Sequence, residues 1–326
     1  MAATNLEVWQ QGKVIAKEFL SPTICEIRFS QSNPAKAEPG SHLDLMIEVG
    51  GQSIRRSYSI VRQSEDLKEV TISVLRTRNS RGGSIAMHEL EVGQSLDITQ
   101  PIQNFPLRFG AERYILLAGG IGITAVVAMA KALAKAKADY RFIYVVKSRP
   151  LAVFLDELKA EHGDRLQLFV DDEENPLSVA ELVSAATPGT ELYMCGPIRL
   201  MDEVRRIWHS KNLDITNLRY ETFGAGGWFD PEPFTVKVLD RGIELTVGAN
   251  QSMLEAMEAQ GLEVMADCRK GECGLCELKV KSHQGKLDHR DVFYSEHQKQ
   301  TGDRITTCVS RVASDSKHPE ISILLG

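Results

Sequence analysis

The chain of 326 residues carries 38 Lys and Arg against 44 Asp and Glu, a net charge of −6, with 43% hydrophobic and 25% charged residues. This is the profile of a soluble globular protein long enough for two or three domains. The acidic balance argues against a dominant basic patch, and hence against nucleic acid as the partner. Met1 to Val14 mixes Asn5, Glu7, Gln10 and Lys13 with few apolar residues, which is not the pattern of a signal peptide. Tyr114 to Ala130 is free of charge, but Gly119, Gly120 and Gly122 break it early. A membrane span needs about 20 apolar residues, so the run reads as a strand, a glycine turn and the start of a helix.

In chain order, residues 1–108 read as short strands separated by turns. Ser41–Val49, Arg56–Val61, Val70–Arg76 and Ser95–Thr99 alternate or run apolar, with Pro39-Gly40, Gly50-Gly51 and Gly82-Gly83 between them. Such spacing predicts an antiparallel β-barrel. From 109 to 225 the rhythm changes to strand–helix alternation. The predicted strands are Tyr114–Ala118, Arg141–Val146, Leu166–Val170, Glu191–Cys195 and Leu218–Phe223. The predicted helices are Ala125–Lys137, Phe154–His162, Val179–Ala185 and Ile198–Ser210. Alternation of this kind predicts a doubly wound parallel α/β domain. A Gly- and Pro-rich linker, 226–233, leads to a third domain, 234–326, with a hairpin (Phe234–Val238, Ile243–Val247) and a short helix (Met253–Gln260).

Three of the six cysteines crowd into that third domain as Cys268-Arg-Lys-Gly-Glu-Cys273-Gly-Leu-Cys276, with Cys308 far downstream. This C-x4-C-x2-C…C spacing is that of a plant-type [2Fe–2S] cluster. Four thiolates must wrap a compact anionic core, and Gly271 and Gly274 allow the tight backbone and expose N–H groups to the sulfurs. The competing metal is zinc, whose structural sites generally pair two short Cys knuckles; here only Cys273 and Cys276 form one. Free, closely spaced thiols suit a reducing cytoplasm.

With a barrel, a glycine-rich nucleotide turn and this loop in that order, the whole chain resembles the phthalate dioxygenase reductase family, which feeds Rieske-type oxygenases and demethylases. The resemblance implies a β-grasp ferredoxin for the third domain and FMN in the barrel. Arg56-Ser57-Tyr58-Ser59 is similar to the family's R-x-Y-S flavin signature. Arg56 can hold a phosphate, Tyr58 offers a ring to lie along the isoalloxazine, and Ser59 can hydrogen-bond flavin N5; four such residues alone also describe an ordinary amphipathic strand. Val74 to Arg76 is where the resemblance implies backbone contact with the ribityl chain. Arg81-Gly82-Gly83-Ser84 opens a helical stretch suited to an anion.

Gly119-Gly120-Ile121-Gly122-Ile123-Thr124 follows a strand and starts a helix, where a pyrophosphate can sit on exposed N–H groups. A Rossmann dehydrogenase would place an acidic residue about 20 positions on; Lys147-Ser148-Arg149 stands there instead, and a ferredoxin-reductase type of nucleotide domain fits better. The family usually has Pro after Thr124, where this chain has Ala125, which loosens the turn. Cys195-Gly196-Pro197 ends a strand at the sheet's carboxyl edge, and the resemblance implies that Cys195 lies near the nicotinamide; a buried Cys is otherwise a small core side chain. Glu221-Thr222-Phe223-Gly224 is similar to the segment whose aromatic, here Phe223, covers the flavin, though Phe223 also reads as a core residue at a strand end. Cys25, in an alternating strand, reads as structural, His88 has no assigned role, and the acidic run Asp171–Glu174 reads as a solvated turn.

The expected protein is thus a monomeric NADH-dependent reductase. It passes electrons from NADH to FMN, then to [2Fe–2S], then to a Rieske-type oxygenase acting on an aromatic or similar small substrate. Ser59, Cys195 and Phe223 are expected at the reacting centre. A reductase for a different acceptor would share every motif, and a cluster-based redox-sensing binding protein is the alternative from another class.

Overall fold

The computed structural model describes residues 7–77, 80, 82–173, 175–223, 229–314 and 318–326. The chain divides into two compact units, Met1–Gly196 with Ile207–Glu221, and Pro197–Arg206 with Thr222–Gly326.

The first unit opens with β1 (Trp9–Ser21), β2 (Ile24–Gln31), β3 (Ser41–Val49), β4 (Gln52–Gln63), β5 (Glu69–Leu75), α1 (Gly83–Glu89), β6 (Ser95–Thr99) and the short β7 (Ile102–Gln103). Strands β1 to β6 close into an antiparallel barrel in the order β3-β4-β5-β2-β1-β6, with β3 pairing both β4 and β6 and β7 added beside β3. Alternation drives this: Ile27, Phe29, Leu43, Leu45, Ile72 and Val74 point inward and are fully buried. Each such side chain contributes about 1.5–3 kcal/mol on burial. Cys25 belongs to the same core, and burial pushes its thiol up to about 11. The long β1 is hard to read from sequence because bulges between Val14 and Ala16 and between Phe19 and Ser21 twice break its period of two.

The same unit continues with β8 (Arg113–Gly119), α2 (Ile123–Lys135), β9 (Tyr140–Val146), α3 (Leu155–His162), β10 (Leu166–Val170), α4 (Val179–Ser184), β11 (Thr190–Cys195), α5 (Ile198–Ser210) and β12 (Leu218–Glu221). The five strands are parallel, in the order β10-β9-β8-β11-β12. Connections run one way from β8 to β9 and the other way to β11, so the switch point lies between β8 and β11, where open α/β sheets bind ligands. Leu116, Ala118, Phe142, Tyr144 and Tyr193 fill its core. Several ends differ from expectation by one or two residues, three of them for a reason the backbone shows. Helix α2 stops at Lys135 and Lys137 turns left-handed (φ 54°). Helix α3 starts at Leu155, because Phe154 is itself left-handed (φ 64°). Strand β12 ends at Glu221, not Phe223, because the Thr222 N–H goes to a side chain instead of the ladder. Among the described residues no helix is long and apolar enough to cross a membrane.

The second unit contains β13 (Phe234–Val238), β14 (Ile243–Val247), α6 (Met253–Ala259), β15 (Glu277–Gln284), β16 (Lys286–Asp288), α7 (Glu296–Thr301), β17 (Arg304–Thr306), β18 (Arg311–Ala313) and β19 (Glu320–Leu324). A mixed sheet, β14-β13-β19-β15-β17, packs against α6 through Val236, Val238, Met253, Met257, Ile305 and Ile323. Capping boxes, Ser252 with Glu255 and Ser295 with Gln298, start α6 and α7. The first half of α5 belongs here too: Asp202 accepts from Lys299 Nζ at 3.2 Å, and Arg205 donates to the Tyr294 carbonyl at 3.1 Å.

Candidate functional site

The cluster loop spans the turn between α6 and β15. Backbone N–H groups of Lys270, Glu272 and Cys273 all donate to Cys268 Sγ, at 3.4, 3.3 and 3.4 Å. The loop needs its glycines: Gly271 has φ +78° and a Cβ there would sit 2.6 Å from Val309, while Gly274 has φ +76° and its Cβ would meet the Phe293 ring at 2.3 Å. Arg269 is also left-handed (φ 51°), a costly conformation for a residue with a Cβ, and its guanidinium forks onto Glu258. Cys276 and Cys308 are buried together with Leu254 and Val309.

All four cysteines are free thiols. They form a linked set: Cys308 hydrogen-bonds both Cys268 and Cys276, and Cys273 hydrogen-bonds Cys268. The bond from Cys308, followed by the loop N–H groups, draws the Cys268 thiol well below its ordinary value; the bond from Cys308 does the same for Cys276, and those bonds push Cys308 up. Four sulfurs this close repel one another as thiolates unless a multiply charged cation lies among them. The donor set therefore fits a two-iron cluster.

On the barrel, Ser59 is buried and its hydroxyl donates to Glu221 Oε2 at 3.2 Å. Glu221, at the end of β12, is itself 4% exposed. Arg56 lies against α1: a Cβ on Gly83 would be 2.8 Å from its Nε, and one on Gly82 (φ +91°) would be 2.2 Å from Val49. Among the described residues, no side chain caps the start of that helix. This cradle of two glycines against a guanidinium fits a phosphate-ended flavin. Tyr58 is half-buried, and burial pushes its phenol up. Ser57 faces differently from expectation, since its hydroxyl donates to the buried Asp44, which also pairs with Arg55. Ser84 is engaged inside the turn, accepting from the Thr77 N–H at 3.2 Å. Val74 is core, and its carbonyl meets His88 Nε2 at 2.9 Å, which gives His88 a structural role. Arg76 is exposed, and its N–H donates to the Thr23 carbonyl. Arg81 lies outside the described residues.

At the switch point, the glycine turn packs onto the end of β11. A Cβ on Gly122 would lie 2.2 Å from the Cys195 carbonyl oxygen, and one on Gly196 would lie 2.9 Å from Gly119 Cα. Cys195 is buried beside this contact. Gly120 has φ +55° with open space around it. The Thr124 hydroxyl closes its own turn by donating to the Ile121 carbonyl at 2.9 Å. Residues 171–173 form an exposed turn, as expected of a solvated run, and there Arg149 forks onto Glu173 at 2.8 and 2.5 Å. Phe223 is 39% exposed.

Comparison with known proteins bears directly on this arrangement. Residues 11–106 match the oxidoreductase FAD-binding domain, 99–218 match the dimethylamine monooxygenase subunit DmmA-like N-terminal domain, and 236–313 match the 2Fe-2S iron-sulfur cluster binding domain. The chain is 32% identical to the carnitine monooxygenase reductase subunit of Acinetobacter pittii over 298 residues, covering 90% of this chain and 96% of that protein. It is 33% identical to the heme-dependent oxidative N-demethylase beta subunit of Ectopseudomonas mendocina, covering 92% and 94%. The solved structure of phthalate dioxygenase reductase superposes with a TM-score of 0.72 at 29% identity, covering 97% of this chain and 98% of that one. The chain belongs to the phthalate dioxygenase reductase-like family. Like its family, it is an oxidoreductase: a reductase component of the oxygenase and demethylase type, with a flavin, a [2Fe–2S] cluster and a pyridine nucleotide as electron source. Relatives of this chain are named as subunits of multi-component monooxygenase and demethylase systems.

Glu221, Thr222, Glu272 and Glu173 were not expected at the site. Each acts through a partner far away in sequence, so no local spacing marks it. The available signals were the Glu221-Thr222-Phe223-Gly224 segment and the carboxylate inside the C-x4-C spacing, at Glu272.

Proposed function

We propose that this chain draws electrons from NADH onto FMN and delivers them singly, through a cluster held by Cys268, Cys273, Cys276 and Cys308, to a Rieske-type oxygenase or demethylase. The observation that carries this reading is the cluster loop, whose three N–H groups aimed at Cys268 Sγ suit a bound anionic cluster. When bound, the flavin exchanges paired for single electrons and the cluster carries one at a time. The chain's own residues position them. Arg56 and the Gly82-Gly83 turn take the phosphate, and the barrel strand bearing Tyr58 lines the ring. Ser59 holds a hydroxyl at N5, fixed by Glu221. The Gly120–Gly122 turn takes the pyrophosphate, with Cys195 beside the nicotinamide and Phe223 over the flavin. Three modules with boundaries at 1–108, 109–225 and 234–326 fit these assignments.

NADH preference gains support from Arg149. Lys147 and Arg149 are the two cations that a 2′-phosphate could meet, and the Arg149 guanidinium is already forked onto Glu173. The exit side combines the exposed Leu275 and Phe293 with the Arg269–Glu258 pair, which suits a transient complex of a monomeric reductase with its oxygenase. Six free thiols, four needed for assembly, suit a cytoplasmic setting. A second reading is favoured by the match over 99–218 and by the N-demethylase relative: the acceptor is a heme oxygenase acting on an amine. The test is cofactor extraction followed by acceptor assay. One FMN and one two-iron cluster with labile sulfide per chain are expected. Extracted FAD, zinc in place of iron, or NADPH used as well as NADH would overturn the corresponding part. Reduction of a purified heme partner but not a Rieske partner would select the second reading.

A further inference from the structure

Thr222, one residue past the end of β12, is 4% exposed and turned entirely toward the cluster loop. Its N–H donates to Glu272 Oε1 at 2.7 Å, and its hydroxyl lies 2.8 Å from both that oxygen and the Lys270 carbonyl. Those two attachment points flank Gly271, and Lys270 and Glu272 are also two of the three residues whose N–H groups donate to Cys268 Sγ. On another side the loop is stopped by packing, since a Cβ on Gly271 would reach Asp291 Cα at 2.9 Å. Between these supports Arg269 is held left-handed, a conformation that relaxes unless the surroundings over-determine it.

We propose that Thr222 is a positioning residue for the iron–sulfur loop: by holding the Lys270 carbonyl and the Glu272 carboxylate on either side of Gly271 it fixes the course of the backbone there, keeps the Lys270 and Glu272 N–H groups on Cys268 Sγ and so raises the cluster's reduction potential. N–H groups at a ligand sulfur stabilise the more negative, reduced cluster, and outer hydrogen bonds are among the means by which a protein tunes such potentials. Removing the hydroxyl frees the Lys270 carbonyl and loosens the backbone on either side of Gly271, which carries the Lys270 and Glu272 N–H groups. The inference rests on the reductase reading and adds to it a residue that sets how readily the cluster accepts an electron.

The test uses the full chain with both cofactors. Thr222→Val deletes the hydroxyl at nearly constant shape, and Thr222→Ser restores it. The cluster potential is read by spectroelectrochemistry, and the electron paramagnetic resonance signal of the dithionite-reduced protein is read alongside. A lower potential and an altered signal in the Val variant, both returned to wild type in the Ser variant, are expected. A Val variant that holds its cluster with wild-type potential and signal overturns the proposal. If the Val variant assembles no cluster, the Ser variant decides: wild-type properties sustain the role of the hydroxyl, and a missing or shifted cluster removes it. Wild-type protein without iron and labile sulfide would instead defeat the underlying reductase reading.

Discussion

The cluster loop and the nucleotide turn are both built on glycine, yet glycine answers different needs in the two. In the loop, Gly271 combines positive φ with backbone of Asp291 where its Cβ would be, and Gly274 combines positive φ with the Phe293 ring, so conformation and packing act together. In the turn the two demands are separated. Gly120 is left-handed in open space, whereas Gly122 has an ordinary φ of −59° and is required only because the Cys195 carbonyl lies where its Cβ would be. A loop that wraps a cluster must be fixed from every side. A turn proposed to receive a diffusing nucleotide needs one close approach and an open face.

Substitutions at these glycines can break the comparison. The largest effect is expected for Gly271→Ala, which meets the Asp291 backbone, Val309 and a strained φ together, each costing about 1–3 kcal/mol. Iron and labile sulfide should be lost while flavin is retained, as metal analysis and absorbance would show. A fully loaded Gly271→Ala protein would contradict a loop held by both conformation and packing. Next comes Gly122→Ala, where relief of the overlap moves the turn or the end of β11 by about an ångström, enough for roughly a 10²-fold loss in NADH-dependent flavin reduction. Its dithionite-reduced form should still deliver electrons at the wild-type rate. Gly120→Ala pays only the left-handed backbone, about 1 kcal/mol, and stopped-flow flavin reduction should fall less than about tenfold. Equal losses at Gly120 and Gly122 would erase the distinction.

Two smaller effects sharpen the picture. Glu173→Gln removes the charge holding Arg149 and should raise kcat/KM for NADPH by a few-fold without improving NADH, measured in steady state. No gain would mean that Arg149 does not face the adenosine end. Cys25, with its thiol pushed up to about 11, stays protonated at pH 8 and should resist a thiol reagent until the protein unfolds or the pH passes that value. Rapid labelling in the native protein would contradict its place in the barrel core.

Much of this was legible in the sequence where chemistry imposes a local spacing. The cysteine pattern, the barrel alternation at Ser41–Val49 and Ser95–Thr99, and the strand–helix rhythm of the nucleotide domain all depend on near neighbours, and the elements lie where these periods put them. What stayed hidden is long-range. Ser59 and Glu221 are 162 residues apart, and Thr222 and Glu272 are 50 apart. No period or motif couples such pairs; only the closed barrel and the folded loop bring them together. The flavin signature was readable as a motif but not in detail, because β3 decides that Ser57 turns its hydroxyl to Asp44.

The central claim is a division of labour, with flavin receiving electrons from NADH and the cluster alone passing them out. The most direct measurement compares ferricyanide and oxygenase reduction, both driven by NADH, in a cluster-free Cys276→Ser protein. The barrel and the parallel sheet have their own cores, so flavin should stay bound, NADH should still bleach it, and ferricyanide should be reduced near the wild-type rate. Reduction of the oxygenase should fall by orders of magnitude. A folded, cluster-free variant that drives the oxygenase at the wild-type rate would contradict the account.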